Sequence, residues 1–550
     1  MCGIWGGRPD LLNPAAAQLL RHRGPDQAGA DTVRASDGRE LLIGQTRLAV
    51  VDRSLVPTPM AKDGSTIAYN GEVYNWRELR QELESRGRTF VTATDTEVVL
   101  EAFREWGPAA LDRLNGMFAV AIWHDDTLFL ARDRLGKKPL FWMQQGADLA
   151  FASEMKAFRR LDFEEVPICR ALEFYFDEHT PFRGVHSLRP GEYMTWHPAT
   201  GARREVRWWT FPSREPDIVE PEAATRMFLE VFEDACRIRK LADVPVTLFL
   251  SGGIDSSLIQ AVLKLPVTYT VQFAEFEQTI DERSSVVEFA ERLGFEPRIL
   301  VPDRRQFLET LPELARAIEY PVGSLSVFPL FSLSRAARAD GFVVALSGEG
   351  ADELFNGYRR HELLLSEDER ISPELRGSYG PLSRRYFGSA LERFCRMATR
   401  QGMPGVPALM ELFAPRWNDS LSYARNLSAV EATVFLQPLL AMADRLSMAS
   451  SLEVRTPFLD YRLIELSARL ADDLKFREGQ GKWLLRRALR ELVGGDLEIT
   501  RRKVKHGLPA PVNVWLFGSG AFDRKDWNQV LMGESLRQLA LAQTSAPPLS

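Results

Sequence analysis

Cys2 stands directly behind the initiator methionine, in Met1-Cys2-Gly3-Ile4-Trp5. A side chain this small permits methionine removal, which would leave a thiol and a free α-amine on one residue. The α-amine titrates near pH ~8 and can act as base to the thiol, giving a self-contained nucleophile. Further along lie two Gly-rich loops, each behind a short apolar run. In Leu250-Ser251-Gly252-Gly253-Ile254-Asp255-Ser256-Ser257 the glycines let backbone approach phosphates closely. Serine hydroxyls and the N–H groups of a following helix supply donors for a pyrophosphate. No GxxxxGK[ST] spacing is present, so this is not a Walker A loop. The second loop is Ser347-Gly348-Glu349-Gly350-Ala351-Asp352-Glu353. Its crowded acids would be costly to bury without a cation, which favours Mg²⁺ bridging carboxylates to phosphates. The alternative is a helix N-terminus whose dipole favours acids.

These residues need rigid elements behind them. The first ~150 residues are rich in short β-like runs. Leu41-Leu42-Ile43 precedes Gly44, and Phe118 to Trp123 and Leu128 to Ala131 flank a His124-Asp125-Asp126 turn as a hairpin. Helical periodicity marks residues 77–86 and 95–106, with Asp95 at the N-cap position and Glu97 just inside. Strands with few helices between them argue for an α+β domain. Residues 208–222 carry three prolines and several charges and read as a linker. Beyond it the pattern changes: Val246 to Leu250, Thr268 to Phe273 and Phe342 to Leu346 are strand-like, and Ser256 to Leu263 is helical. That alternation predicts a parallel, doubly wound α/β sheet. Residues 360–440 read as mostly helical, and the last ~30 residues, which contain a Ser/Ala/Pro-rich end, as poorly ordered.

The chain has 550 residues, which suggests two to four domains. Its formal net charge of -6 and pI near 5.9 provide no basic excess for a polyanion, so no nucleic-acid partner is expected. None of Cys2, Cys169, Cys236 and Cys395 forms a CxxC pair, which argues against a zinc site, and four cysteines make no disulfide framework. Cys169, Cys236 and Cys395 read as small buried hydrophobes. No signal peptide and no apolar run of ~18 residues is apparent, so a cytoplasmic protein without a membrane partner is the expectation.

Several segments in order carry a resemblance: Arg21-His22-Arg23-Gly24-Pro25-Asp26, Gln45 to Val51, Asn70-Gly71-Glu72-Val73-Tyr74-Asn75, Asn115 to Phe118, Ala131 to Leu140 and Phe151 to Glu154. With Cys2 they resemble the glutaminase domain of class II glutamine amidotransferases, most closely the asparagine synthetase family. The Ser-Gly-Gly-x-Asp-Ser-Ser loop resembles that of ATP pyrophosphatases. Asp444 to Ala449, Leu452 to Asp460 and Lys482 to Arg486 follow the same family's pattern, and Arg502 to Pro509 resembles its basic C-terminal loop.

The resemblance implies an αββα N-terminal nucleophile domain over residues 2–207 and a linker over 208–222. An ATP-pyrophosphatase-type α/β domain with a helical C-terminal part would follow over 223–520, then a tail over 521–550. It implies Cys2 as nucleophile, with Asn70 and the Gly71 N–H as oxyanion donors. Arg47, Val51, Asn70, Gly71, Glu72 and Asp95 match glutamine-binding positions, Arg47 for the carboxylate and Asp95 for the ammonium. Leu250, Ser251, Gly252, Gly253, Asp255, Ser256, Ser257, Val271, Ser347 and Gly348 match the ATP site, and Asp255 and Asp352 the Mg²⁺ ligands. Glu349 matches a residue that supports acyl-adenylate formation. Lys482 matches one that stabilises charge as ammonia attacks, beside the reading of a surface lysine. Arg23 and Asp26 read equally well as an ion pair holding their turn.

The expected reaction is amidation of a carboxylate, L-aspartate first, by ammonia from glutamine through a sheltered passage, in a homodimer. Departures from the pattern lie at Tyr320 and Leu325, which leave other acceptor acids open, and at Gln45, where histidine is commoner. Cyclases of the β-lactam synthetase type share the second domain but have typically lost the nucleophile. A non-catalytic relative is the third alternative.

Overall fold

The computed structural model describes residues 2–276, 282–320, 322, 324–365, 389–398, 406–501, 510–517 and 524–544, and the structural statements below concern these. The expected Arg502–Pro509 loop lies outside them, as does part of 360–440. The helices Arg359–Leu365, Ala390–Ala398, Val406–Phe413, Tyr423–Val430 and Leu436–Met448 occupy the rest of that stretch, as expected.

The N-terminal half is built from β1 (Cys2–Gly7), β2 (Gln27–Arg34), β3 (Glu40–Arg47), β4 (Met60–Lys62), β5 (Ser65–Val73), β6 (Gly116–His124), β7 (Thr127–Arg132), β8 (Phe141–Gln145), β9 (Asp148–Ala152), β10 (Val185–Ser187), β11 (Glu192–Trp196) and β12 (Arg203–Arg207). They form two antiparallel sheets, ordered β10-β8-β9-β1-β3-β2 and β12-β11-β7-β6-β5-β4. The predicted hairpin is the β6–β7 pair, His124 opposite Thr127. Ile4, Ile43, Ala68, Ala119, Phe151 and Trp196 fill the space between the sheets. The helices Trp76–Ser85 and Asp95–Trp106 cover the outer face of the second sheet through Leu79, Leu83, Val98 and Ala102. The cap of the second helix is Thr94, whose hydroxyl accepts from Glu97 N; Asp95 is the first helical residue, one place inside the expected cap. The outer face of the first sheet joins a core that runs on into the C-terminal half, so Trp5 and Phe141 share one apolar cluster with Phe273, Phe307 and Leu446.

The C-terminal half holds β13 (Val246–Phe249), β14 (Val267–Val271), β15 (Glu296–Leu300), β16 (Val344–Leu346) and β17 (Glu453–Arg455), all parallel, in the order β15-β14-β13-β16-β17. The chain leaves β13 toward one edge and returns at β16 to build the other. The strand order therefore reverses between β13 and β16, the position where open α/β sheets form a crevice beyond their carboxyl ends. Both Gly-rich loops emerge there.

Two expectations are corrected. Residues 524–544 are not loose: they form a helix against Arg304–Ile318, burying Trp527 and Leu531, with Ser535 Oγ donating to Ala315 O. The helical run Tyr423–Met448 is long and apolar enough to cross a membrane by length and composition, where the sequence had suggested no such run. It is 67% buried within the protein, as a core helix would be.

Candidate active sites

Cys2 opens β1, which is flanked by β3 and β9. Gly3 N donates to Thr46 Oγ1 and Ile4 N to Ser153 Oγ, so the strand is pinned just behind the cysteine. Cys2 pairs in register with Arg47 on β3. Across the sandwich, Asn70 on β5 is fully buried, and its Oδ1 accepts from Cys2 N at 3.1 Å. Cys2 N is the α-amine once Met1 is removed. Asn70 Nδ2 is also buried and finds no acceptor among the described residues, an orphaned donor of a kind that folded proteins rarely retain without use. Gly71 follows in the same strand, where a Cβ would lie 2.3 Å from Met117 O, so no larger residue fits. Gln45 Nε2 donates to Cys2 Sγ at 3.5 Å while Gln45 Oε1 accepts from Tyr69 N, so this departure from the family pattern touches the thiol itself.

The Arg47 guanidinium holds its own loop, donating to the carbonyls of Val51, Asp52 and Ser54. Asp95 accepts from Tyr69 Oη and Val73 N, and burial raises its pKa. Burial also raises Glu72 well above the usual carboxylate range; neighbouring Asp95 adds to this and Arg455 opposes it. Two buried acids held high make a place where a ligand's ammonium would be welcome.

Arg23 and Asp26 do not form the expected pair. Arg23, fully buried, donates to Cys2 O and to Glu154 and Asp444, the last across 421 residues. Lys138 completes this network on Asp444 at 3.0 Å, while Asp26 accepts from Ala49 N. The floor of the cysteine site is thus bolted to the parallel-sheet half through charges sealed from water. Arg455 on β17 adds a second link, 3.4 Å from Glu72.

At the switch point of the parallel sheet, Gly253 caps the helix Ile254–Leu263 without a side-chain bond, leaving its first N–H groups for a ligand. The loop is shaped internally: Ser251 N donates to Ser256 Oγ, and Ser257 Oγ to Gly253 O. A Cβ on Gly348 would lie 2.7 Å from Asp255 Cβ, so glycine lets the two loops touch. Leu250, Ser251, Asp255, Ser256, Val271, Ser347, Gly348, Glu349 and Asp352 line one cavity of about 530 Å³. Gly252, Gly253 and Ser257 are not part of its lining.

Lys482 is no surface lysine. It is 6% exposed, and its ammonium lies 2.6 Å from Asp255 Oδ2 and 2.7 Å from Asp352 Oδ1. Burial opposes its charge, but the two carboxylates outweigh burial and raise its pKa. A Cβ on Gly357 would collide with Lys482 Cε at 2.0 Å, so that glycine clears the lysine's path. Among the described residues no group of three or more His, Cys, Asp and Glu is gathered for a metal. The oxygen pair of Asp255 and Asp352 nevertheless suits a hard cation, and in this structure it converges on one supplied by the chain. Burial raises the Glu349 carboxyl, while Lys137 and Lys138 from the N-terminal half oppose the shift. Burial likewise pushes Lys137 down to about 8.

Sequence reasoning missed Gln45 as a thiol contact, Asp444 as the anchor of Arg23, and Lys137 as a cross-domain neighbour of Glu349. Each lies inside a quoted segment, but only folding reveals its partner.

Comparison with known proteins agrees with this geometry. The asparagine synthase family matches residues 227–544 and the glutamine amidotransferase domain matches residues 1–209. "Asparagine synthetase [glutamine-hydrolyzing] 1" of Bacillus subtilis is 30% identical, over 94% of this chain and 86% of its own. A "Putative asparagine synthetase [glutamine-hydrolyzing]" of Mycobacterium bovis is 32% identical with the same coverage. "Amidase chry2" of Gibberella zeae is 26% identical over 94% of this chain and 90% of its own. This chain belongs to the asparagine synthase family, ATP-dependent ligases that take nitrogen from glutamine.

Proposed function

We propose that Cys2 releases ammonia from glutamine and that the second site adenylates L-aspartate with ATP, ammonia then displacing AMP to give L-asparagine. The observation that carries the first half is Asn70, which accepts from the Cys2 nitrogen and keeps a buried amide donor available for an oxyanion. Thiolate attack on the side-chain amide of glutamine places negative charge on its oxygen, and Asn70 Nδ2 and the Gly71 N–H answer it. Arg47, Val51 and Glu72 frame the amino-acid end, with Asp95 taking the ammonium. Hydrolysis of the thioester gives glutamate, and ammonia passes by a sheltered route between the halves.

In the second site Leu250, Val271, Ser347 and Gly348 hold the nucleotide, while Ser251, Gly252, Gly253, Ser256 and Ser257 shape the phosphate loop. Asp255 and Asp352 would hold Mg²⁺, which would neutralise the phosphates during adenylation. Lys482 occupies that point now and must share or yield it. Glu349 supports the carboxylate under activation. The glutaminase domain spans 2–207, the linker 208–222, and the synthetase domain follows from 223 and takes in the helix Arg524–Thr544. We read the assembly as a homodimer.

One observation favours a second reading. The cavity wall beyond the loops carries Leu330, Leu333, Leu436, Leu439 and Met442, which would suit an acid more apolar than aspartate.

The test is pyrophosphate release with ATP, Mg²⁺ and glutamine, with and without L-aspartate, the amide being identified by mass. Aspartate-dependent release with asparagine formed supports the proposal. Glutamine hydrolysis without an aspartate response moves the acceptor to another acid. Glu349→Ala should stop carboxylate-dependent pyrophosphate release while glutamine hydrolysis continues; unchanged release would refute its role.

A further inference from the structure

A second cavity, of about 250 Å³, lies where the linker meets both halves of the protein. It shares no lining residue with the cavity at the Gly-rich loops. Its charged lining is one-sided: Arg134, Arg207, Arg214, Arg416, Arg425 and Lys475 face a single carboxylate, Asp177. Several of these cations are already answered. Arg416 pairs with Asp177, Arg207 with Glu192, Arg214 with Asp217 and Arg425 with Asp472.

Lys475 and Arg134 are different. Among the described residues neither has an ion-pair partner. Arg134 donates to the carbonyls of Leu114 and Asp112 and stacks on Trp208 and Tyr461. Lys475 is 2% exposed, and its ammonium makes one long hydrogen bond, 3.4 Å, to Ser467 Oγ. A buried ammonium with one weak acceptor is costly. Trp209, Phe211 and Trp417 supply flat apolar wall beside it.

We propose that this cavity binds a small organic anion, its carboxylate or phosphate group on Lys475 and its apolar body against Trp209, Phe211 and Trp417. The charge state of the lysine agrees. Burial and the nearby Arg425 push Lys475 down to about 7, with Asp472 opposing. The other charged groups around the cavity, Arg134, Arg207, Arg214 and the Arg416–Asp177 pair, are cationic on balance and do not restore it. An anion would supply the missing counter-charge and raise that pKa. Binding above pH ~7 should then take up a proton, and affinity should fall as pH rises toward 9, because each pH unit above the free pKa costs about tenfold.

The experiment is calorimetric titration of the full chain, with ATP saturating the loop cavity, using phenyl phosphate, benzoate and inorganic phosphate as probes. The expected result is saturable binding of phenyl phosphate or benzoate, tighter than that of inorganic phosphate. Proton uptake at pH 8 should show in two buffers of different ionisation heat. Lys475→Met should weaken binding at least tenfold. Arg416→Gln, which releases the Asp177 charge into the cavity, should weaken it severalfold and serves if the lysine variant does not fold. No saturable binding of either aromatic anion, or equal affinity in both variants and the parent, overturns the proposal.

Discussion

The two reaction centres solve the same problem, holding charge out of water, in opposite ways. Around Cys2, Arg47 and Asp95 are satisfied by groups close by, while Arg23 and Glu72 reach across to Asp444 and Arg455. Arg47 is quenched by its own loop's carbonyls and Asp95 by Tyr69 and Val73 N, and Cys2 itself stands directly across from Arg47. At the Gly-rich loops, Asp255, Asp352 and Lys482 meet from segments up to 227 residues apart and satisfy one another. The first centre is held in place before any ligand arrives, with Asn70 Nδ2 left as an orphaned donor. The second holds an internal counter-ion: Lys482 stands between Asp255 and Asp352, the pair proposed above for Mg²⁺. Pre-organisation is where transition-state stabilisation comes from, whereas an internal counter-ion keeps an empty site from repelling itself.

The largest effect should come from Lys482→Met. On the reading that Lys482 shares the Asp255–Asp352 point with Mg²⁺, loss of its ammonium should lower carboxylate-dependent pyrophosphate release by ~10³-fold, on the scale of removing an electrostatic stabiliser. Glutamine hydrolysis should stay unchanged; a parallel loss would mean the two centres are not separable. Next, Asn70→Ala should lower kcat for glutamine hydrolysis by ~10²-fold with little change in KM, as for other lost oxyanion donors. A rise in KM at constant kcat would make Asn70 a binding residue only.

At the seam between the centres, Asp444→Asn removes the shared partner of Arg23 and Lys138, both buried. Breaking such a pair from one side should cost about 3–5 kcal/mol, read as a lower urea midpoint, whereas Glu82→Gln, at the surface in an ion pair with Arg113, should leave the midpoint almost unmoved.

The smallest effect is in acid. Burial works against the charge on Glu453, but Arg455 outweighs it, and the carboxyl is held at about 2. The unfolded value is about 4.3. A depressed folded pKa gives stability that is complete above the unfolded value and lost as pH falls through the folded one. Urea midpoints should therefore decline between pH ~4 and ~2, and Glu453→Gln should flatten that decline. An identical slope in the variant would place the acid sensitivity elsewhere.

Much of this was legible in the sequence because it is written in short contiguous runs. The two Gly-rich loops, the strand before each, and the helices near 77–86 and 95–106 are set by local propensity and phosphate-loop chemistry. What was missed depends on long-range pairing or on one-residue detail. Thr94, not Asp95, caps its helix, since both residue types cap well and spacing alone does not choose. Arg23 ignores Asp26 three residues away for Asp444, because burial at the seam demands a partner that local spacing does not reveal. Lys482 carried the alternative reading of a surface lysine until folding closed it between two acids. The C-terminal helix went unread because the Ser/Ala/Pro-rich end that follows it coloured the whole stretch, although Trp527 and Leu531 inside it are buried.

One chain is proposed to carry a glutamine-hydrolysing centre and a separate carboxylate-activating centre. Amide formation by Cys2→Ala, with ATP, Mg²⁺ and the acceptor acid, fed either glutamine or ammonium chloride, separates them. No product is expected from glutamine and near-parental product from ammonia. Loss of both, or retained synthesis from glutamine, would contradict it.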